Sequence, residues 1–198
     1  MASLTRTAVA DISDGALMAR LAGGDRAALG ALYQRHARAV GSLLLRLDPD
    51  RSREQADDLV QDVFLTLLDT APRYRDQGAL RSWLFGIAVR KARGARRTGW
   101  RRGILSRLTG GTVAAGVAAP SSRHDSRIDA RDRVGRALAT LSPNAREVLI
   151  LTTVQGLTGT ETANVLGISP GAVAVRAHRA RASMADALDR LDSQEERR

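Results

Sequence analysis

The sequence predicts an all-α protein made of two small helical domains joined by a flexible linker. Apolar residues recur at helical spacing through both halves of the chain, and no segment shows the sustained alternation of a β-strand. Between the halves, over 99–127, this periodicity is lost and small residues predominate, which is typical of a tether. We therefore predict domains at 13–98 and 128–192, joined by a tether that is long enough for the two domains to sit on separate surfaces.

Two helices are predicted at the start of the first domain. Ser13 can cap a short helix that ends at the glycine pair Gly23-Gly24. Asp25 can cap a longer helix, which Asp48-Pro49-Asp50 breaks. Its apolar face consists of Leu29, Leu32, Val40, Leu43, Leu44 and Leu47.

Two further helices complete the first domain. Ser52 and Gln55 form a capping box ahead of the third, and Pro72 ends that helix. Its predicted buried stripe is Leu59, Val60, Val63, Phe64, Leu67 and Leu68. The fourth helix is predicted to start near Ala79, and its buried face to contain Leu80, Trp83, Leu84, Ile87 and Ala88.

The second domain opens with two more predicted helices. The first carries Ile128, Val134, Leu138 and Leu141 on its apolar side. Ser142 followed by Pro143 is an N-cap and first-turn pair that starts the second, which closes at Gly156. Its predicted apolar residues are Val148, Leu149 and Leu151.

Residues 158–181 have the pattern of a helix-turn-helix. Thr158 and Glu161 form a capping box at the start of the first helix, and Gly167 can take the positive φ that closes it. Ser169 followed by Pro170 marks the start of the second helix. A small Ala163 and an apolar Val173 allow the two helices to pack closely. Such a unit places its second helix in the major groove of DNA.

The composition favours a polyanionic partner. The 198 residues carry a net charge of +10, with 31 basic residues against 21 acidic ones, and the pI is about 11.4. There is no cysteine, which excludes disulfides, thiolate metal sites and cysteine nucleophiles. The N-terminal residues lack the apolar stretch of a signal peptide, and no apolar run is long enough for a membrane span. We therefore expect a cytoplasmic protein that does not insert into membranes.

The basic residues are concentrated on two predicted helices. Between Ile87 and His124 the sequence contains no acid, and Arg90, Arg93 and Arg97 share one helical face. A solvated basic face is the alternative to DNA binding, but the missing acids favour phosphate contacts. The second helix of the helix-turn-helix carries Arg176, His178, Arg179 and Arg181. Arginine there can pair with guanine or with phosphates, and the sequence does not distinguish the two.

Aromatic residues offer a second means of binding nucleic acid. Trp83 and Phe85 are two positions apart on the fourth helix and point in different directions, so one of them belongs to the core. The other, together with Tyr74, could stack on an exposed base, and plain packing is the equally plausible alternative.

An acidic cluster lies on the polar side of the third helix, where Asp57, Asp58 and Asp62 flank Gln61. Stabilisation of the helix dipole is the simplest explanation. Acid–base chemistry or a divalent metal is disfavoured, since neither histidine nor a glycine-rich phosphate loop accompanies the carboxylates. Docking of a basic protein partner is the third option. We predict no catalytic residue, no metal site and no cofactor.

In combination these motifs resemble the RNA polymerase sigma factors of the extracytoplasmic-function (ECF) group, from about Asp14 to Leu191. Five segments carry the resemblance in the same order as in the family: GDRAALGALYQRH, DDLVQDVFLTLL, RYRDQGALRSWLFGIA, LATLSPNAREVLIL and the helix-turn-helix. The resemblance implies that the first domain is sigma region 2 and the second is sigma region 4. It also implies partners, namely promoter DNA and the core polymerase, through its β′ clamp helices and β flap.

The resemblance further implies roles for individual residues. Core polymerase would be bound by Asp58, Leu59, Gln61 and Asp62. The −10 promoter element would be bound and opened by Tyr74, Arg75, Ser82, Trp83, Arg90, Lys91, Arg93 and Arg97. The −35 element would be read by Ser169, Ala172, Ala174, Val175, Arg176, Arg179 and Arg181. Many members are held inactive by an anti-sigma factor, and the resemblance leaves open whether this chain has one.

This chain departs from the family pattern at three places. It has Val89-Arg90 where an asparagine is common, Gly94 where an aspartate is common, and Ala174 where a lysine is common. The promoter preferences of relatives are therefore not transferable. Two other classes of protein are the alternatives: a helix-turn-helix regulator that is not a sigma subunit, which needs a sensor or receiver domain, and a metal-dependent nuclease, which needs acids beside the basic face.

Overall fold

The computed structural model describes residues 12–75, 80–108 and 126–195, and all regular structure within these ranges is helical. Helix α1 is Asp14–Ala22, α2 is Arg26–Leu47 and α3 is Arg53–Thr70. Each begins at its predicted cap: the side chains of Ser13, Asp25 and Ser52 accept hydrogen bonds from first-turn N–H groups. A short 3₁₀ turn at Ala71–Arg73 follows α3.

The long helix α4, Leu80–Leu108, packs against both α2 and α3. It continues ten residues beyond the predicted domain end at 98, so that the first part of the predicted linker, 99–108, is helical. No proline or helix-ending cap interrupts this stretch, and arginine is a good helix former. The rest of the predicted linker, 109–125, lies outside the described residues.

The second half contains four α-helices among the described residues. These are α5, Ser126–Thr140; α6, Pro143–Leu149; α7, Gly159–Leu166; and α8, Pro170–Glu195. A π-helical turn at Ile150–Val154, which the sequence pattern did not predict, continues α6. Helix α8 is central to this half, because α5, α6 and α7 all pack against it. Val134 of α5 is exposed, contrary to its predicted burial, whereas Leu138 and Leu141 are buried.

The two halves, which the predicted tether would allow to sit on separate surfaces, pack against each other in the folded chain and share one continuous apolar core. Helix α4 contacts α7, and a Cβ added to Gly86 would lie 4.0 Å from the Cα of Val165. All six residues from Leu84 to Val89 are buried, so this part of α4 is enclosed on every side. A helix that is apolar all round requires burial, which one small bundle alone does not provide.

Arg146 also joins the halves from within the core. Its guanidinium donates to the carbonyl oxygens of Leu138, Ala139 and Leu141 at 2.8–3.0 Å, and to that of Leu47 at 3.3 Å. The first three oxygens lie at the end of α5, where carbonyl groups have no intrahelical partner. Burial lowers the pKa of this guanidinium. Arg146 is therefore a structural residue that caps α5 and reaches the last residue of α2.

Candidate nucleic-acid interface

The helix-turn-helix has the predicted geometry. The Thr158 hydroxyl accepts from the Glu161 N–H at 3.2 Å, and the Glu161 carboxylate accepts from the Thr158 N–H at 2.8 Å. Gly167 has φ of 69°, in the left-handed region where glycine is favoured. The N–H of Ala172 donates to the Ser169 hydroxyl at 3.2 Å, which starts α8. These contacts confirm the predicted starts of both helices and the predicted end of the first, whereas α8 continues to Glu195, beyond the predicted unit at 158–181.

Packing of α7 on α8 leaves one side of α8 free of the core. Val173, Ala177 and Ala180 are buried on the inner side. The predicted −35 residues lie mainly on the outer side: Ala172 is half-buried, and Ser169, Ala174, Val175, Arg176, Arg179 and Arg181 are exposed. The helix therefore presents small side chains and an exposed Val175 near its start, followed by arginines.

On α4 the predicted basic face is divided. Arg90 and Arg97 are exposed, but Arg93 binds Glu147 of α6. The Nη2 group of Arg93 donates to one Glu147 carboxylate oxygen at 2.7 Å, and its Nε lies 3.2 Å from both oxygens. Arg96 donates to the same carboxylate at 3.1 Å. The hydrogen bonds to Glu147 raise the pKa of Arg93, which opposes the effect of its partial burial.

Of the two aromatic residues near the start of α4, the tryptophan is exposed and the phenylalanine is buried. Phe85 is fully buried, whereas 37% of the Trp83 surface is accessible, so the predicted burial of Trp83 is wrong. Trp83 meets Tyr74 edge-to-face, with ring centroids 5.7 Å apart. Ser82 is half-buried and Arg75 is exposed. The two rings form a small aromatic platform at the rim of the first bundle.

The acidic residues of α3 lie on an exposed face of the first bundle. Asp58, Gln61 and Asp62 are exposed, and Leu59 is only partly buried. The Asp62 carboxylate has one weak ion pair, at 3.9 Å from Lys91. A shallow groove between α3 and α4 adjoins this face and is lined by Leu59, Asp62, Thr66, Ile87, Arg90, Lys91, Gly94 and Ala95. Among the described residues, no group of three His, Asp or Glu side chains could hold a metal ion.

Sequence reasoning missed one residue of these surfaces and one buried residue that binds to them. Leu65 is 58% exposed on the same face of α3 as Asp58 and Asp62, where the heptad spacing from Asp58 could have revealed it. Glu147 is 1% exposed and was not singled out. No local pattern announces it, because its partners are more than fifty positions away in the sequence.

Comparison with known proteins agrees with this arrangement. The Sigma-70 region 2 family matches residues 32–102, and the Sigma-70, region 4 family matches residues 131–184. The ECF RNA polymerase sigma factor SigD of Mycobacterium tuberculosis is 34% identical over 182 residues, covering 87% of this chain and 82% of SigD. The chain belongs to the ECF group of sigma-70 family RNA polymerase sigma factors.

Two solved structures have a similar fold. One is CnrH, a sigma factor of Cupriavidus metallidurans, in complex with the cytosolic domain of CnrY; it has a TM-score of 0.67 and 30% identity, covering 89% of this chain and 97% of that one. The other is the sigma factor RpoE of Bartonella quintana in complex with the anti-sigma factor NepR; it has a TM-score of 0.65 and 25% identity, covering 79% of this chain and 94% of that one.

Membership in the sigma factor family accounts for the two halves of the chain, which are sigma regions 2 and 4. The sigma factor directs promoter-specific initiation of transcription, for which region 2 and region 4 both bind promoter DNA. The alternative, a helix-turn-helix regulator that is not a sigma subunit, required a sensor or receiver domain in the first half of the chain. The Sigma-70 region 2 family matches that half instead. None of the described helices is long and apolar enough to cross a membrane.

Proposed function

We propose that this sigma factor uses three surfaces: the acidic face of α3 for core polymerase, the rim and basic face of α4 for the −10 element, and the outer side of α8 for the −35 element. The separation of charge carries the proposal. The exposed carboxylates of Asp58 and Asp62 lie on a helix distinct from both arginine-bearing helices. An acidic face repels DNA and attracts a basic protein surface, such as the β′ clamp helices.

At the core-binding surface, we propose that the acidic residues set the partner and that Leu65 supplies apolar contact. Asp58, Gln61, Asp62 and Leu65 fall within one helical face of α3, with the partly buried Leu59 beside it. An exposed leucine amid polar groups is a common centre for a protein interface. The weak contact of Asp62 with Lys91 leaves the carboxylate available to a stronger cation. Region 4 would add a second contact with the β flap.

At the −10 surface, Trp83 and Tyr74 would stack on a base displaced from the duplex, and the basic residues would hold the backbone. Stacking on an aromatic ring stabilises an unpaired base by about 1–3 kcal/mol. Arg75, Ser82, Arg90, Lys91, Arg93 and Arg97 would provide polar contacts along the strand. The sigma factor performs no chemistry of its own. It supplies the binding free energy that favours the melted promoter.

At the −35 surface, the start of α8 would enter the major groove. Ser169, Ala172 and Ala174 permit close approach, and Val175 offers an apolar contact for a thymine methyl group. Arg176, Arg179 and Arg181 would pair with guanine or with phosphates. A DNA-binding subunit of the polymerase acts in the cytoplasm, and that is the location we propose.

Run-off transcription tests the proposal. Core RNA polymerase with this chain is expected to start RNA at specific sites on genomic fragments, and core alone is not. Replacing Asp58 and Asp62 together by lysine should weaken core binding about tenfold or more, because two contacts at an interface centre are reversed in charge. Failure of the wild-type chain both to bind core and to support initiation would contradict the proposed function.

Asp57→Lys is the matched control for that experiment. Asp57 is exposed and adjacent to Asp58, but its side chain points about 100° away from that of Asp58 and about 140° away from that of Asp62, beyond the edge of the face that Gln61 marks. It should leave core binding within about twofold of wild type if the face, rather than the net charge, binds the polymerase. An equal loss in both variants would show that only overall charge matters.

An anti-sigma factor is a further proposed partner. RpoE of Bartonella quintana has been solved with the anti-sigma factor NepR, and the similar CnrH with the cytosolic domain of CnrY. Co-purification of this chain from its own cells, followed by a transcription assay with the captured protein, tests this. An inhibitory partner should abolish run-off RNA at equimolar ratio.

A further inference from the structure

The arginine pair on α4 forms a clamp for an anion. Arg93 presents two nitrogens to the Glu147 carboxylate, and Arg96 presents one to its other oxygen. The carboxylate is almost fully buried, with 2% of the side chain exposed, whereas Arg93 and Arg96 keep 32% and 27%. All the polar partners that the Glu147 carboxylate has among the described residues come from the other half of the molecule.

The chemistry of this clamp suits a phosphate equally well. Two guanidinium groups converging on one carboxylate provide the forked donors that also bind the oxygens of a phosphodiester. Arg93 shares its helical face with Arg90 and Arg97, two exposed residues that would continue a track for a nucleic-acid backbone. Glu147 therefore occupies one position in a row of otherwise accessible cations.

The same face of α4 is where the second half docks. Gly86 lies two turns before Arg93, on the side that meets Val165 of α7. At one end of this contact, Arg81 donates to the Gln155 side chain at 3.0 Å; at the other, Arg93 and Arg96 hold Glu147. A DNA strand that follows this face would find the donors of Arg93 already bound to Glu147 while α6 and α7 lie against α4.

We propose that Arg93 and Arg96 form a phosphate-binding site. In the closed form, in which the two halves pack against each other, Glu147 fills this site and so competes internally with promoter DNA for region 2. The proposal rests on the proposed function, since the competing phosphate belongs to the −10 strand. The exposed arginines of α8 stay available in the closed form. Opening of the two halves then exchanges one anion for another at the same two guanidinium groups.

A double-mutant cycle, in which DNA binding by the full chain is measured, tests the exchange. The probe is a fluorescein-labelled, mixed-sequence fork DNA with a single-stranded arm, titrated by fluorescence anisotropy at low salt. Glu147→Gln should bind about fivefold more tightly than wild type, at the lower end of coupling between sites. In an Arg93→Gln/Arg96→Gln background, Glu147→Gln should add nothing, because the site that it frees no longer exists.

Glu195→Gln is the matched control for the lost negative charge. Glu195 pairs with Arg136 at 3.3 Å, and both side chains are about half exposed. A general charge effect would tighten DNA binding equally in Glu195→Gln and Glu147→Gln, and would persist in the double-arginine background. Either result would overturn the proposal.

Energy transfer between two dyes reports opening directly. Because the chain has no cysteine, Gln34→Cys on α2 and Ala185→Cys on α8, both exposed, give two unique labelling positions. Glu147→Gln should lower the transfer efficiency, and added fork DNA should lower it in the wild type. Unchanged transfer and affinity in Glu147→Gln, with normal run-off transcription, would reject the internal competition and leave the sigma function intact.

Discussion

The basic helices α4 and α8 share a composition but differ in what their arginines do in the folded chain. On α8, Arg176, Arg179 and Arg181 are exposed on the side away from the core. On α4, Arg93 and Arg96 already hold a carboxylate from α6. The difference shows that an acid-free stretch of sequence does not guarantee an acid-free surface, because folding can bring a carboxylate from a distant helix.

Arg146 gives the largest expected effect, because it is an arginine that the fold itself uses. Arg146→Met removes the donors to three carbonyl groups at the end of α5 and to Leu47. Leaving several buried acceptors without partners should lower the free energy of unfolding by about 3 kcal/mol. Urea denaturation followed by far-UV circular dichroism measures the loss.

Arg179→Met is the control for that prediction. Its side chain is exposed on α8, so the same substitution should change stability by less than about 0.5 kcal/mol. Equal destabilisation by the two variants would mean that the buried network of Arg146 contributes no special stability, and the distinction between structural and exposed arginines would fail.

What the sequence could predict follows from how local each signal is. The caps at Ser13, Asp25, Ser52 and Thr158, and the positive φ of Gly167, involve residues within a few positions of one another, and they are confirmed. The Arg93–Glu147 contact joins residues 54 positions apart, so no local pattern predicts it. The burial of Trp83 was predicted wrongly, because helical spacing alone cannot decide which of two aromatic residues faces the core. The residue roles at the three surfaces remain predictions.

The second expected effect concerns the exposed arginines of α8. Arg176→Ala and Arg179→Ala should each weaken binding to promoter DNA by about 1–3 kcal/mol, which is roughly five- to 150-fold, in the full chain. A residue that contacts only phosphate should also reduce the slope of log K against log salt by about one. A residue that reads a base should keep the slope and lose discrimination at one base pair.

Anisotropy titrations at several salt concentrations, with wild-type and single-substituted promoter fragments, separate the two roles. In the closed form these arginines are exposed while Arg93 is already bound to Glu147, so either α8 variant should lose more affinity than Arg93→Gln. The opposite order would mean that the chain opens freely and that α4 dominates its contact with DNA.

The smallest expected effect comes from the capping box that starts α7 and so helps to position α8. The backbone N–H and the hydroxyl of Thr158 both donate to the Glu161 carboxylate, and these bonds lower the pKa of Glu161. A carboxyl group whose pKa is lowered by folding stabilises the folded state above its unfolded pKa and loses that contribution as the pH falls through the folded one. Glu161→Gln keeps the hydrogen-bonding geometry but does not titrate. We therefore expect a small deficit in its unfolding free energy at neutral pH that disappears in acid, measured by urea denaturation of both proteins across the acidic range. A deficit that stayed constant with pH would assign the effect to altered packing rather than to the ionised carboxylate.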